Sequence, residues 1–159
     1  SYKLLMLSLI LPTYNEAENL PALLKRLGAV LTMPHEIIIV DDDSPDKTWQ
    51  VAENLSKTNK TVRVLRRCGR RGLSSAVVEG FNLAKGDVLM VMDSDLQHDP
   101  QLVKKLFDAI KDGAGIAVAS RYIPGGSVGE WVTGRRLLSK TATWLAHALP
   151  PVKRARRPL

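Results

Sequence analysis

The stretch that most constrains this chain is Val88-Leu89-Met90-Val91-Met92-Asp93-Ser94-Asp95-Leu96-Gln97-His98-Asp99-Pro100. Val88 to Met92 carries no charge and reads as a buried strand, which stops at two carboxylates one residue apart. A parallel strand inside an α/β sheet is apolar on both faces, and such sheets bind ligands just beyond the carboxyl ends of their strands. Asp93 and Asp95 therefore fall where a ligand is expected, with the carboxamide of Gln97 close behind. Asp-x-Asp offers hard oxygen ligands to a divalent cation, Mg2+ or Mn2+, that keeps phosphate oxygens in its shell. Capping of the next helix is the competing use, but Asp99-Pro100 already supplies a cap and a first-turn proline.

Strand and helix patterns alternate along the rest of the chain. Leu4 to Leu11 reads as an apolar strand ending at Pro12. Asn15 then stands as N-cap, with Glu18 in a capping-box variant, and Leu20, Leu23, Leu24 and Leu27 fall on one helical face. Glu36 to Asp41 is a second buried strand that finishes in Asp41, Asp42 and Asp43. Ser44-Pro45 opens a helix with Trp49, Ala52 and Leu55 inward, and Thr61 to Leu65 is a shorter strand. The loop Arg66 to Gly72 leads into a helix through Ala84, with Gly86 as a left-handed cap. Pro100 to Asp112 is amphipathic and stops at Gly113. Gly115 to Ser120 reads as a fifth strand, and Thr133 to Leu149 as a basic amphipathic helix. This alternation calls for a mostly parallel sheet with helices on both faces, a three-layer Rossmann-like α/β sandwich.

Composition narrows the possibilities. The chain has 159 residues, 45% hydrophobic and 25% charged, as expected of one globular domain. No run of about 18 apolar residues or signal-peptide pattern occurs, so neither a transmembrane helix nor secretion is expected. The single Cys68 excludes an internal disulfide and fits a reducing compartment. Of a net charge of +7, four positive charges (Lys153, Arg154, Arg156, Arg157) lie in the last ten residues. Such a tail can meet an anionic surface or stay solvated. No recognition helix, zinc finger or aromatic strand pattern points to nucleic acid.

The ends of strands one, two and four should converge on one crevice. Pro12-Thr13-Tyr14-Asn15 replaces Gly-x-Gly-x-x-Gly after the first strand and no Walker A loop occurs, so a nicotinamide dehydrogenase is not expected. A nucleoside fits the crevice. Tyr14 can stack on a base or ribose, although edge packing is an equally simple use of it. A carboxylate can accept from a base edge, and guanine offers two adjacent donors where uracil offers one. A turn bond at the Ser44-Pro45 start accounts for one aspartate of the triplet better than for three.

Pro12-Thr13-Tyr14-Asn15-Glu16, Val40-Asp41-Asp42-Asp43-Ser44-Pro45-Asp46, Gly72-Leu73-Ser74-Ser75-Ala76, Asp93-Ser94-Asp95-Leu96-Gln97-His98 and Ser120-Arg121-Tyr122 follow in order at close spacing. Together they resemble the family 2 glycosyltransferases of GT-A fold, most closely the dolichol-phosphate (polyprenol-phosphate) mannosyltransferases. The resemblance implies transfer of mannose from GDP-mannose to dolichyl or polyprenyl phosphate, with inversion and a divalent metal. By position it implies Pro12, Tyr14, Glu16, Val40 and Asp42 at the nucleoside. It puts Asp93, the Ser94 backbone, Asp95 and Gln97 at the metal and diphosphate. Arg121, Arg135 and Ser139 would lie near the sugar and phosphates, with Asp95, Arg121 and Arg135 as the catalytic set. Arg135 and Ser139 are four apart and share a helical face; a solvated face is the alternative for Arg135, Arg136 and Lys140. His98 fits a helix start or an outer-shell place better than a general base.

Past Leu149 the pattern departs from the Asp-Pro-x-Ser-Gly-Phe-Phe-like continuation of the family. The expectation is a GT-A domain over 1–149, incomplete in its acceptor part, and a basic tail over 150–159. The implied setting is peripheral, on the cytoplasmic side of a membrane, met directly or through a membrane-anchoring subunit. Two alternatives stay open: a relative using UDP-glucose or UDP-N-acetylglucosamine on the same lipid carrier, and a nucleotide-binding remnant without turnover.

Overall fold

A computed structural model describes residues 4–119. Four strands, β1 (Leu7–Thr13), β2 (His35–Asp41), β3 (Val62–Arg66) and β4 (Val88–Val91), form one sheet in the order β3-β2-β1-β4. Every pairing is parallel, with Leu7 beside both His35 and Val88. Between them run α1 (Leu20–Val30), α2 (Thr48–Thr58) and α3 (Leu73–Leu83), and α4 (Gln101–Lys111) follows β4. Alternate residues of each strand face opposite sides. Leu7, Leu9, Leu11, Ile37 and Ile39 pack with the leucines of α1, Ala52 of α2 and Val103 and Phe107 of α4. Ile10, Ile38 and Val40 face Ala76 of α3 instead. The result is the expected three-layer α/β sandwich. Crossing of the chain to the other face through α3 reverses the strand order between β1 and β4.

Several local expectations are corrected. β1 runs through Pro12 to Thr13. Ile10 accepts from Met92 on the β4 side, so Pro12, two residues on, has its missing N–H directed beyond the last β4 pair, where none is required. Asn15 is no cap: it has φ 59°, and α1 begins only at Leu20. α2 begins at Thr48, where Asp46 Oδ1 accepts from the Thr48 backbone N–H at 3.0 Å. Trp49 is only half-buried, with the Arg66 guanidinium 3.7 Å above its ring. Gly86 is not left-handed; a Cβ there would lie 2.7 Å from the Met6 carbonyl oxygen, so close approach to β1 requires the glycine. At α4, Asp99 Oδ1 accepts from Gln101 N at 3.0 Å and Gly113 stops the helix at φ 105°, both as expected.

Among the described residues, helices cover β4 on one face only. Val88, Met90 and Met92 are buried against α4, while Leu89 and Val91 are 46% and 40% exposed. Among the described residues it is an edge strand, and α3 lies over β1 and β2 rather than over it. Residues 115–119 form no strand, and Ile116 and Val118 are exposed. An alternating run becomes a strand only where a neighbour completes its hydrogen bonds, and none does so among the described residues. The helix expected over 133–149, and Arg121, Arg135 and Ser139, lie outside them.

Candidate functional site

The carboxyl ends of β1, β2 and β4 open into a cavity of about 290 Å³ lined by Pro12, Thr13, Tyr14, Glu16, Asp42, Leu73, Ala76, Asp93, Ser94 and Asp95. It lies where the strand order reverses, the position at which open α/β sheets take ligands. Seven residues singled out from sequence meet there: Pro12, Tyr14, Glu16, Asp42, Asp93, Ser94 and Asp95. Two others do not line it. Val40 is fully buried with its side chain on the α3 face, beside Ala76. Gln97 is exposed and touches the loop through its backbone N–H, donated to Asp95 Oδ1 at 3.0 Å.

The β1–α1 loop is held by its neighbour. Three successive backbone N–H groups, of Asn15, Glu16 and Ala17, donate to Ser44 Oγ (3.0 Å), Thr48 Oγ1 (2.9 Å) and Asp46 Oδ2 (3.0 Å). Burial raises the pKa of Asp46, but hydrogen bonds from the Thr48 side chain and from the Ala17 and Thr48 backbones outweigh it, so the carboxyl stays below its ordinary range. This clamp gives Asn15 its left-handed turn and aims Tyr14 and Glu16 at the cavity.

The three aspartates after β2 have separate tasks. Asp41 is fully buried and accepts from Thr13 Oγ1, Ser44 N and Ser44 Oγ at 2.9, 2.9 and 2.6 Å. Asp42 pairs with Arg67 at 2.6 Å and accepts from Gly72 N at 2.8 Å. Asp43, at φ 54°, points outward to Arg66. Sequence reasoning saw the triplet but not Arg67, because an arginine-rich loop reads as solvated surface. It also assigned no role to Arg71, whose guanidinium sits 4.4 Å above the Tyr14 ring and donates to its hydroxyl. Leu73 and Ala76 belonged to a motif already noted, and now appear in the cavity wall.

At the β4 end, Asp93 is exposed, Ser94 buried and Asp95 half-buried. Leu96 adopts φ 61°, which turns the loop back so that Gln97 N reaches Asp95 Oδ1. Only that one oxygen of Asp95 is engaged by the loop. Asp93 meets His98 Nε2 at 3.4 Å. Among the described residues no cluster of three or more His, Cys, Asp or Glu side chains forms a closed metal cage. The donor set suits a hard cation bound by one or two carboxylates that takes its remaining ligands from water and phosphate, the habit of Mg2+ and similar ions.

A parallel sheet with its crevice at the switch between β1 and β4 defines a Rossmann-like α/β domain. The chain matches the description "Glycosyl transferase family 2" over residues 8–156 and belongs to that family. A dolichol-phosphate mannosyltransferase from Pyrococcus furiosus is 49% identical over 96% of this chain and 44% of its own length. A polyprenol monophosphomannose synthase from Mycolicibacterium smegmatis is 43% identical over 88% of this chain and 54% of its own. The chain thus spans about half the length of the curated relatives it matches. Among solved structures, a mannosyltransferase from Pyrobaculum calidifontis in complex with GDP-Man and Mn2+ is 26% identical, with TM-score 0.51, covering 56% of this chain and 27% of that one. The glucosyl-3-phosphoglycerate synthase from Mycobacterium tuberculosis, at 23% identity and TM-score 0.65 over 92% of this chain and 51% of that one, shares the GT-A fold. No helix among the described residues is long and apolar enough to cross a membrane.

Proposed function

We propose that this chain carries the donor site of a metal-dependent mannosyltransferase that moves mannose from GDP-mannose to a dolichyl or polyprenyl phosphate with inversion. One observation carries the reading: a cavity at the β1/β4 switch gathers Tyr14, Glu16 and Asp42, from the ends of β1 and β2, with Asp93, Ser94 and Asp95, from the end of β4, in a chain nearly half identical to a dolichol-phosphate mannosyltransferase. Tyr14 and Asp42 take the nucleoside, and Asp93 and Asp95 the metal-bound diphosphate. A bound Mg2+ or Mn2+ supplies charge neutralisation for the departing nucleoside diphosphate. Arg121 and Arg135 are assigned to the same negative charge and Ser139 to the phosphates, as electrostatic stabilisation of the transition state requires. The acceptor phosphate is ionised near neutral pH and is its own nucleophile, so no side chain is assigned as general base.

A lipid-phosphate acceptor brings the enzyme to a membrane surface as a peripheral protein, directly or through an anchoring subunit. By this reading residues 1–149 form the transferase domain and 150–159 a basic tail. Titration of GDP-mannose and of UDP-glucose with Mn2+ tests the donor. Metal-dependent binding of GDP-mannose, tighter than that of UDP-glucose, is the expected result. Preference for the uridine nucleotide overturns it.

A further inference from the structure

The nucleoside end of the cavity rests on an arginine that does not line it. Arg67 is 1% exposed. Its Nη1 donates to Asp42 Oδ1 at 2.6 Å and to the Gly72 carbonyl at 3.2 Å. Its Nη2 donates to Ser75 Oγ at 2.6 Å, and Nε to Glu79 Oε1 at 3.2 Å. The other oxygen of Asp42 accepts from Gly72 N at 2.8 Å. A carboxylate has about four lone-pair sites, two on each oxygen. Arg67 and Gly72 take one on each, which leaves one acceptor on each oxygen of a side chain in the cavity wall.

Two parallel acceptors match a nucleobase edge with adjacent imino and amino donors. A base with a single imino donor uses only one of them. The terminal torsion of an aspartate is broad, so the carboxylate presents this pair in a fixed direction only if something holds both oxygens. The Gly72 N–H holds Oδ2 and Arg67 holds Oδ1; its planar guanidinium, locked by bonds to Ser75, Glu79 and the Gly72 carbonyl, fixes that oxygen, whereas a lysine ammonium, a point charge on a flexible stem, would not. We infer that Arg67 is a positioning residue that holds the Asp42 carboxylate as a two-acceptor edge, and thereby sets base selectivity at this site. The inference rests on the nucleotide-sugar reading given above.

The test compares GDP with inosine diphosphate, which lacks the 2-amino donor, and with inorganic pyrophosphate, each titrated with Mn2+ into wild type and Arg67→Lys. Wild type should bind GDP about tenfold more tightly than inosine diphosphate, the size of one charge-assisted hydrogen bond. In Arg67→Lys that ratio should fall to about one while pyrophosphate binding stays unchanged, since Asp93 and Asp95 are untouched. A merely structural arginine would weaken all three together and leave the ratio alone. Should Arg67→Lys not fold, Ser75→Ala decides: it removes the Nη2 acceptor, together with the bond from Ser75 Oγ to the Gly72 carbonyl, and should lower the ratio about threefold. A folded variant that keeps the wild-type ratio overturns the inference and leaves the donor reading standing. A wild type that binds no GDP, or prefers UDP, overturns both.

Discussion

Ser94 Oγ donates to the carbonyl oxygen of Pro12 at 3.0 Å, across 82 residues of sequence. The β1–β4 ladder ends at Ile10 and Val91, with Met92 N still bonded to Ile10 O. The Ser94–Pro12 bond thus continues the junction on side-chain chemistry after the strands have parted. It fixes the carboxylate loop beside the wall that carries Tyr14.

Removing that hydroxyl tests whether the two ends of the cavity are coupled. Ser94 is buried, so Ser94→Ala leaves the Pro12 carbonyl short of its partner and should cost about 1 kcal/mol in urea unfolding. Mn2+-dependent GDP affinity should fall several-fold, because the carboxylate loop proposed for the metal and the wall proposed for the nucleoside are no longer held in register. Unaltered affinity in a destabilised variant would show the bond to be structural only.

A second prediction concerns acid. Burial raises the pKa of Glu36, but hydrogen bonds from Ser8, Arg63 and the Lys85 backbone, with the charge of Arg63, outweigh it and hold the carboxyl below its ordinary value. A depressed folded-state pKa contributes stability above the unfolded value, near 4.3, and that contribution is lost as pH falls through the folded value. Asp46 acts in the same direction. The urea midpoint should therefore drop as pH falls below about 4.5, and Glu36→Gln should flatten that fall. Equal slopes in wild type and Glu36→Gln would rule Glu36 out as its source.

Much of this was legible in the sequence because it was written in short motifs. The apolar run into Asp93 and Asp95, the Val40–Asp46 stretch and Pro12–Glu16 place the site at three strand ends, and α/β alternation alone orders the layers. What escaped was tertiary. Asn15 looked like a cap because the asparagine is followed by Glu18, yet its N–H is satisfied by Ser44 of another loop. Ser44 looked like a helix start, yet its hydroxyl and N–H serve Asp41. Arg67 was hidden among neighbours of the same type, and only burial against Asp42 and Glu79 separates it from Arg66 and Arg70. Exposure of Leu89 and Val91 was unreadable, since an apolar run does not say which of its faces a helix covers.

Two glycines distinguish kinds of close approach. A Cβ at Gly80 would lie 2.6 Å from Ile10 Cγ2, a side-chain atom, though of a buried and β-branched residue. At Gly86 it would meet the Met6 carbonyl oxygen at 2.7 Å and Ser8 N at 2.8 Å, backbone atoms of β1 and its lead-in. Overpacking of a core costs about 1–3 kcal/mol, and backbone yields less than side chains. Gly80→Ala should fall within that range and Gly86→Ala at or above its top, as read from urea midpoints. The reverse order would show that β1 shifts more readily than Ile10 repacks.

The last prediction separates carboxylates that hold the fold from those assigned to the ligand. Asp41 is fully buried and satisfies Thr13, the Ser44 backbone and the Ser44 hydroxyl. Asp41→Ala strands those donors in a dry interior and opens a void, so a loss of about 2–4 kcal/mol is expected. Asp95 is half-buried, and the only bond it makes to its loop is accepted by Oδ1 from Gln97 N. Asp95→Asn keeps an oxygen for that bond and nearly the same shape, so the unfolding midpoint should move little. It removes the charge that a hard divalent cation requires of its ligand, so GDP affinity in Mn2+ should fall at least tenfold while the metal-free affinity stays as it was. Calorimetric titration of GDP with and without Mn2+, beside urea unfolding of both variants, reads the two effects separately. Equal Mn2+-dependent affinity in wild type and Asp95→Asn would remove Asp95 from the metal site and leave Asp93 to hold it.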